Sequence, residues 1–110
     1  MDDQKLIITN DSDGKTFMIN QNNYFIVRLV ENPTTGFQWE LERIHDNILS
    51  LEQETFIQPV DEGMGASGFK EYLFYAKSPG KQYIKFKNWR AWEGEESAID
   101  NFHIIIEVIK

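Results

Sequence analysis

His45 and His103 are the residues best suited to move protons near neutral pH. His45 falls in a turn-like stretch and His103 on the outward side of a strand-like run. Neither has a serine or an acid in an obvious nucleophile–base relay. The chain has no cysteine, which excludes a thiol nucleophile, thiolate metal ligation and a disulfide framework. A histidine paired with a carboxylate can hold a metal, but no ligand-like spacing occurs. Asp11-Ser12-Asp13-Gly14 looks like the start of a calcium loop, yet the later ligands and the closing glutamate are missing, so a plain turn is expected. Gly63-Met64-Gly65 is a weak phosphate-loop signal, because no Lys-Ser/Thr or helix follows and Asp61-Glu62 would repel an anion. The reading is of a chain that is not an enzyme and carries neither cofactor nor metal.

What remains is chemistry of contact, and it sits in three loops. Asn32-Pro33-Thr34-Thr35-Gly36-Phe37 lies between two strand-like runs. Pro33 sets its own φ and pushes Asn32 towards extended geometry. Gly36 can take a positive φ and turn the chain back. Two small hydroxyl residues are left at the tip, as suits a stiff loop built for insertion; a plain connecting turn is the alternative. Asp61 to Gly68 holds Gly63, Gly65 and Gly68 and exposes much backbone, which lets another backbone approach closely. A simple glycine hairpin would look the same. Asn88 to Ser97 contains Trp89, Arg90, Ala91 and Trp92. Tryptophan and arginine on a loop are the usual anchors of protein interfaces. One tryptophan is expected to end a strand and the other to be exposed, unless Trp92 folds back on the domain edge. Glu93 to Glu96 reads as a solvated flank.

The elements that must hold these loops are strands. Helical periodicity is nearly absent, and short β-branched and aromatic runs alternate with turn residues. Strands are expected over Lys5–Thr9, Thr16–Ile19, Tyr24–Glu31, Phe37–Leu41, Phe69–Ala76, Gln82–Trp89 and Phe102–Ile109, with a weaker one around Glu54–Ile57. Phe25, Val27 and Leu29 share one face, as do Phe102, Ile104, Ile106 and Val108. Ile105 and Ile109 lie on the opposite face of the last strand, which therefore reads as central. Trp39 is a candidate buried core tryptophan. Pro33 and Pro79 fall in turns and Pro59 ends a strand, as ladder bonding requires. Seven or eight such strands predict an all-β, immunoglobulin-like sandwich formed by residues 1–110 as one domain.

Composition sets outer bounds. The 110 residues are 41% hydrophobic and 14% aromatic, enough for a packed core. Net charge of −7 argues against nucleic acid or an anionic membrane as partner and leaves room for a neutral or basic protein. No apolar run is long enough to span a bilayer. Met1 to Lys5 has no apolar signal core, so the chain as written is expected to be cytosolic, or lysosomal, vesicular or secreted if a leader was removed. Asn10-Asp11-Ser12 is a glycosylation sequon that matters only on the secretory route. Monomer is the default, on the expectation that edge strands carry lysines and acids that discourage pairing.

Asn32-Pro33-Thr34-Thr35-Gly36-Phe37, then Gly63-Met64-Gly65-Ala66-Ser67-Gly68, then Arg90-Ala91-Trp92 occur in that order on a sandwich pattern. This resembles the chagasin family of cysteine-protease inhibitors across essentially the whole domain. That family's signature is NPTTG plus an aromatic, a GxGG-type loop and an R-P-W/F loop. Ala66 and Ala91 depart from it, standing where glycine and proline are common. The resemblance implies three loops clustered at one end that plug the cleft of papain-like enzymes of the cathepsin L and B type. Asn32, Pro33, Thr34, Thr35, Gly36 and Phe37 would enter at the catalytic Cys–His pair. Gly63, Met64, Gly65 and Ala66 would lie along the non-primed subsites. Trp92 would stack on an aromatic patch on the primed side, with Arg90 bracing the loop or reaching a carboxylate, in a loop that Ala91 leaves less preorganised than proline would. The competing reading is a carbohydrate-binding or adhesion module with Trp89, Trp92 and Tyr83 as stacking platforms.

Overall fold

The computed structural model describes residues 6–32, 35–42, 44, 47–58 and 68–110; Lys5 and Pro59 lie outside them. Eight strands occur among them: β1 (Leu6–Thr9), β2 (Thr16–Asn20), β3 (Tyr24–Glu31), β4 (Gln38–Leu41), β5 (Leu49–Ile57), β6 (Gly68–Ala76), β7 (Gly80–Trp89) and β8 (Asp100–Ile109). They form two four-stranded sheets, ordered β1-β3-β6-β5 and β2-β8-β7-β4. β1 joins β3 and β2 joins β8 in parallel, and every other pairing is antiparallel. The two sheets face each other as an immunoglobulin-like β-sandwich.

Alternation places the core. Phe25, Val27 and Leu29 from one sheet meet Ile84, Phe86, Ile104 and Ile106 from the other, all fully buried. Their centre is aromatic: the Tyr72 and Phe86 rings lie 4.7 Å apart and tilted, and Phe25 stacks on Phe74 at 5.2 Å. Aromatic pairs at these spacings add to the burial itself. Trp39 is buried as expected, and β8 is central, between β2 and β7.

The departures have local causes. β5 is a nine-residue strand beginning at Leu49, where only a short strand near Glu54 was expected. It is an edge strand with a bulge between Leu51 and Gln53, and only Leu49 is buried, so almost no apolar alternation marks it. Gly68, Gly80 and Asp100 extend the starts of β6, β7 and β8 beyond their apolar runs, and β4 begins at Gln38, one residue late. Edge protection also differs. The edges β4 and β5 carry the expected acids, Glu40, Glu52 and Glu54, but β1 and β2 are edges without charged residues and the lysines of the ladders lie on inner strands; brevity limits those two edges instead. The free edge of β4 is closed by side chains: Glu31 accepts the Trp39 N–H at 2.8 Å and the Tyr72 hydroxyl donates to the Trp39 carbonyl at 3.0 Å. Asp11–Gly14 is the expected turn; Asn10 caps the Val30 N–H and Asp13 the His103 N–H, which ties the crossing between sheets.

Tyr72 carries a pH signature. Burial, and then the negative charges of Glu54, Glu31 and Glu40, push its phenol well above the ordinary value of 10.0. The folded state therefore holds this proton more tightly than the unfolded chain. Stability from this group is complete below pH about 10 and falls above it, as the unfolded tyrosine ionises and the folded one does not. Urea midpoints at pH 9, 10 and 11 should decline across the last step, and Tyr72→Phe should flatten that decline.

Candidate functional site

The stems of the Asn32–Phe37 loop are locked by two residues of the polar cluster under it. Glu31 ends β3 with inward parity and is only 6% exposed. Its carboxylate takes the Trp39 N–H across the loop base, while the Trp39 indole N–H donates to the Val30 carbonyl at 2.7 Å. Above this, the Asn32 carbonyl accepts the Thr35 N–H at 3.3 Å and the Thr35 hydroxyl at 3.0 Å, and the same hydroxyl accepts the Phe37 N–H at 3.2 Å. Gly36 has φ +83°, a region L side chains rarely adopt. Pro33 and Thr34, assigned to the tip, lie outside the described residues.

The next loop along leans on the first. Arg90 donates from Nε and Nη2 to the Thr35 carbonyl, at 3.2 and 3.0 Å, and its guanidinium lies 4.2 Å from the Phe37 ring centre. Glu93 sits 3.4 Å from the remaining terminal nitrogen. A Cβ added to Gly36 would stand 2.9 Å from the Trp92 ring, so that glycine is also the seat for the indole. Trp92 is nonetheless 70% exposed. It does not fold back on the domain edge; it stands out from it. Two 3-10 turns, Ala91–Glu93 and Glu95–Ser97, carry this loop. The Ser97 hydroxyl accepts the Arg90 N–H at 3.0 Å and reaches the Gly94 carbonyl at 2.7 Å. The acidic run is the solvated flank expected, with Glu93, Glu95 and Glu96 all exposed, while Glu95 pairs with Lys87 at 2.5 Å and Glu93 with Arg90.

Gly63, Met64, Gly65 and Ala66 lie outside the described residues, but the far stem of their loop is clear. Gly68 is buried and pairs with Glu31, beside the start of the Asn32–Phe37 loop. A Cβ there would meet the Ile57 carbonyl oxygen and stand 2.6 Å from Phe56 Cζ, so the close approach of β5 requires glycine. Gln38 pairs with Trp89 and Asn88 with Asp100. The stems of all three loops thus leave from one end of the sandwich. An open cleft of about 420 Å³ lies against this end, lined by Gly36, Trp39, Glu40, Trp89, Ala91 and Trp92.

Among the described residues no three histidines or acids cluster as a metal site. His103 does have an acidic neighbour that sequence reading missed: Asp13 Oδ1 lies 3.5 Å from its Nδ1, but both are exposed and Asp13 mainly caps the His103 N–H. His45 is outside the described residues. The aromatic-platform reading also fails on geometry. Tyr83 is six residues from Trp89 on the same strand, about 20 Å away. The Trp89 ring is covered by the Lys87 ammonium at 3.6 Å, and its N–H is held by Glu40 at 2.8 Å. Glu31 and Ser97 were missed as site supports. Glu31 had a signal, since an acid at an inward position of an apolar strand needs donors, whereas Ser97 had none.

The site is thus a set of interlocked loops at one end of an immunoglobulin-like sandwich. A family model described as "Chagasin family peptidase inhibitor I42" matches residues 18–106, and the chain belongs to that family. It is a peptidase inhibitor and not an enzyme. Amoebiasin-2 of Entamoeba histolytica is 33% identical over 89 residues, covering 79% of this chain and 72% of its own. The crystal structure of the cysteine protease inhibitor EhICP2 from Entamoeba histolytica superposes with a TM-score of 0.86 at 24% identity, over 94% of this chain and 95% of that one. The inhibitor PbICP-C, solved in complex with falcipain-2, gives a TM-score of 0.70 at 18% identity, over 99% and 94%.

Proposed function

We propose that this protein is a reversible, tight-binding, competitive inhibitor of papain-like cysteine proteases that occludes the active-site cleft with its three loops. The observation that carries the reading is the interlock of two loops: Arg90 holds the Thr35 carbonyl while Trp92 rests on Gly36. Loops already fixed to one another lose little conformational entropy on binding. Thr34 enters nearest the catalytic Cys–His pair, where a hydroxyl and backbone groups meet the polar atoms that substrate would otherwise meet. Gly63 to Ala66 pair backbone to backbone along the non-primed side, as an extended substrate does. Trp92 stacks on the primed side. Arg90 acts within the inhibitor, since its donors are turned to Thr35 and Glu93. With preorganised loops, a standard-size interface reaches roughly nanomolar affinity, about −12 kcal/mol.

No residue of the loops supplies a reactive group, so inhibition leaves both proteins intact. The test is kinetic. The apparent inhibition constant should rise linearly with substrate concentration, in proportion to one plus the ratio of substrate to KM, activity should return on dilution, and the recovered inhibitor should keep its full mass. A constant independent of substrate, or cleavage within the Asn32–Phe37 loop, would overturn the competitive wedge.

Ala91 offers a gain. It is the first residue of its 3-10 turn, after an extended Arg90 at φ −103° and ψ 106°. Proline is tolerated where a helical turn starts and where the residue before it is extended. Ala91→Pro should stabilise the fold by about 0.5 kcal/mol through a less flexible unfolded chain and slow protease dissociation. Thermal midpoints and dissociation rates check both.

A further inference from the structure

We propose that the outer face of the β1-β3-β6-β5 sheet is a self-association surface, seating a second copy of this chain about a two-fold axis that runs parallel to the strands between β3 and β6. The two outer faces of the sandwich differ in chemistry. The β2-β8-β7-β4 face is a solvated one, with Lys81 opposite Glu107 and Lys87 opposite Glu40. The β1-β3-β6-β5 face carries few charges, Arg28, Glu71 and, at its β5 edge, Glu52 beside Ser50, although the chain carries a net charge of −7. Exposed Ile7, Tyr24, Val30, Ile57 and Phe69 all lie on it. In its central rows the charged residues are Arg28 and Glu71, bonded to each other at 2.5 Å.

The register shows why a second copy fits. Across the central strands Ile26 stands opposite Leu73, Arg28 opposite Glu71, and Val30 opposite Phe69. Tyr24 faces Tyr75 in the same way, with ring centres 4.8 Å apart. A two-fold axis between β3 and β6 exchanges the two members of each row. Arg28 of one copy then faces Glu71 of the other, and each apolar residue of β3 and β6 faces an apolar one, while Ile7 of β1 faces Gln53 of β5. A two-fold axis set across the strands instead places Arg28 on Arg28 and Glu71 on Glu71, or, if displaced along the strands, apolar rows on the Arg28–Glu71 row, and either way loses this match. Self-complementarity of this kind is what an isologous interface demands.

Four rows about 6.8 Å apart on four strands about 4.8 Å apart give roughly 500 Å² of sheet per copy. About 1,000 Å² in total is the lower bound for a specific interface, so dimerisation should be in the micromolar range or weaker. The axis leaves both loop ends uncovered. It uses a sheet face, so it does not conflict with the closed edge of β4.

Sedimentation equilibrium from about 1 µM to about 1 mM should show the average mass climbing from 12.9 kDa towards twice that value. Arg28→Glu and Glu71→Arg should each remain monomeric across that range, since each sets like charges against one another in the homodimer. Mixed in equal amounts, the two variants should associate, because each position 28 then faces a position 71 of opposite charge across the axis. Circular dichroism melts establish that each variant is folded; if either is not, Ile26→Lys, on the same face opposite Leu73, serves as the monomeric control. Inhibition measured at nanomolar protein should be unchanged in all of them, so the outcome is independent of the protease reading. A wild-type chain that stays at 12.9 kDa throughout overturns the proposal, as does a dimer that both charge reversals leave intact.

Discussion

Replacing Trp92 with alanine should raise the inhibition constant about 30-fold or more, a loss of about 2 kcal/mol on the scale of interface hot spots. The free protein should scarcely notice. Trp92 is 70% exposed, and its main internal contact is the edge of its ring on Gly36. A substitution at such a position moves folding stability by about 0.5 kcal/mol or less. The two readouts must therefore separate, with affinity falling while the thermal midpoint holds. Parallel losses of affinity and stability would make Trp92 a strut between loops rather than an anchor on the protease. An unchanged inhibition constant would remove its loop from the interface.

The second large effect is on the frame. Trp39→Ala should cost about 3–5 kcal/mol of folding stability, the usual range for deleting a buried aromatic. Against a total of about 5–15 kcal/mol, that brings the protein near its limit. The loss combines an emptied core site with a Val30 carbonyl left without its indole donor. Trp39→Phe separates the two, because it keeps most of the buried area and removes only the N–H. Its cost should be about 1 kcal/mol, the net worth of one hydrogen bond to a part-buried acceptor. It should also weaken inhibition, because the stem of the Asn32–Phe37 loop loses one of its two side-chain locks. Urea titrations and inhibition constants on the same samples decide both points.

Much of the frame was legible because burial on one side of a sheet writes a period of two. β3, β7 and β8 carry it clearly, and their inward residues are fully or nearly fully buried. β5 was read short, because an edge strand with one buried residue writes almost no pattern. The turn at Gly36 was legible for a different reason: a glycine next to a strand start allows the positive φ that the chain adopts there. What the sequence could not display is contact at a distance. Arg90 and Thr35 lie 55 residues apart, and only the closed sandwich brings them together. The same holds for Asp13 and His103, 90 residues apart. Glu31 occupies the middle ground. Its parity marked it as buried, and a buried carboxylate beside a loop must find donors.

The departures from the family signature also acquire a physical meaning. Ala91 begins a turn that proline would start equally well, so the loop keeps its shape with slightly more freedom. Arg90 and Ser97 offset that freedom by tying the loop to Thr35 and to itself.

The most direct measurement is a titration of papain with this protein, following hydrolysis of a fluorogenic peptide, with a serine protease in parallel. The account predicts stoichiometric loss of papain activity, restored on dilution, with the serine protease untouched. Full papain activity at equimolar and higher inhibitor, repeated with cathepsin L- and B-like enzymes, would contradict it.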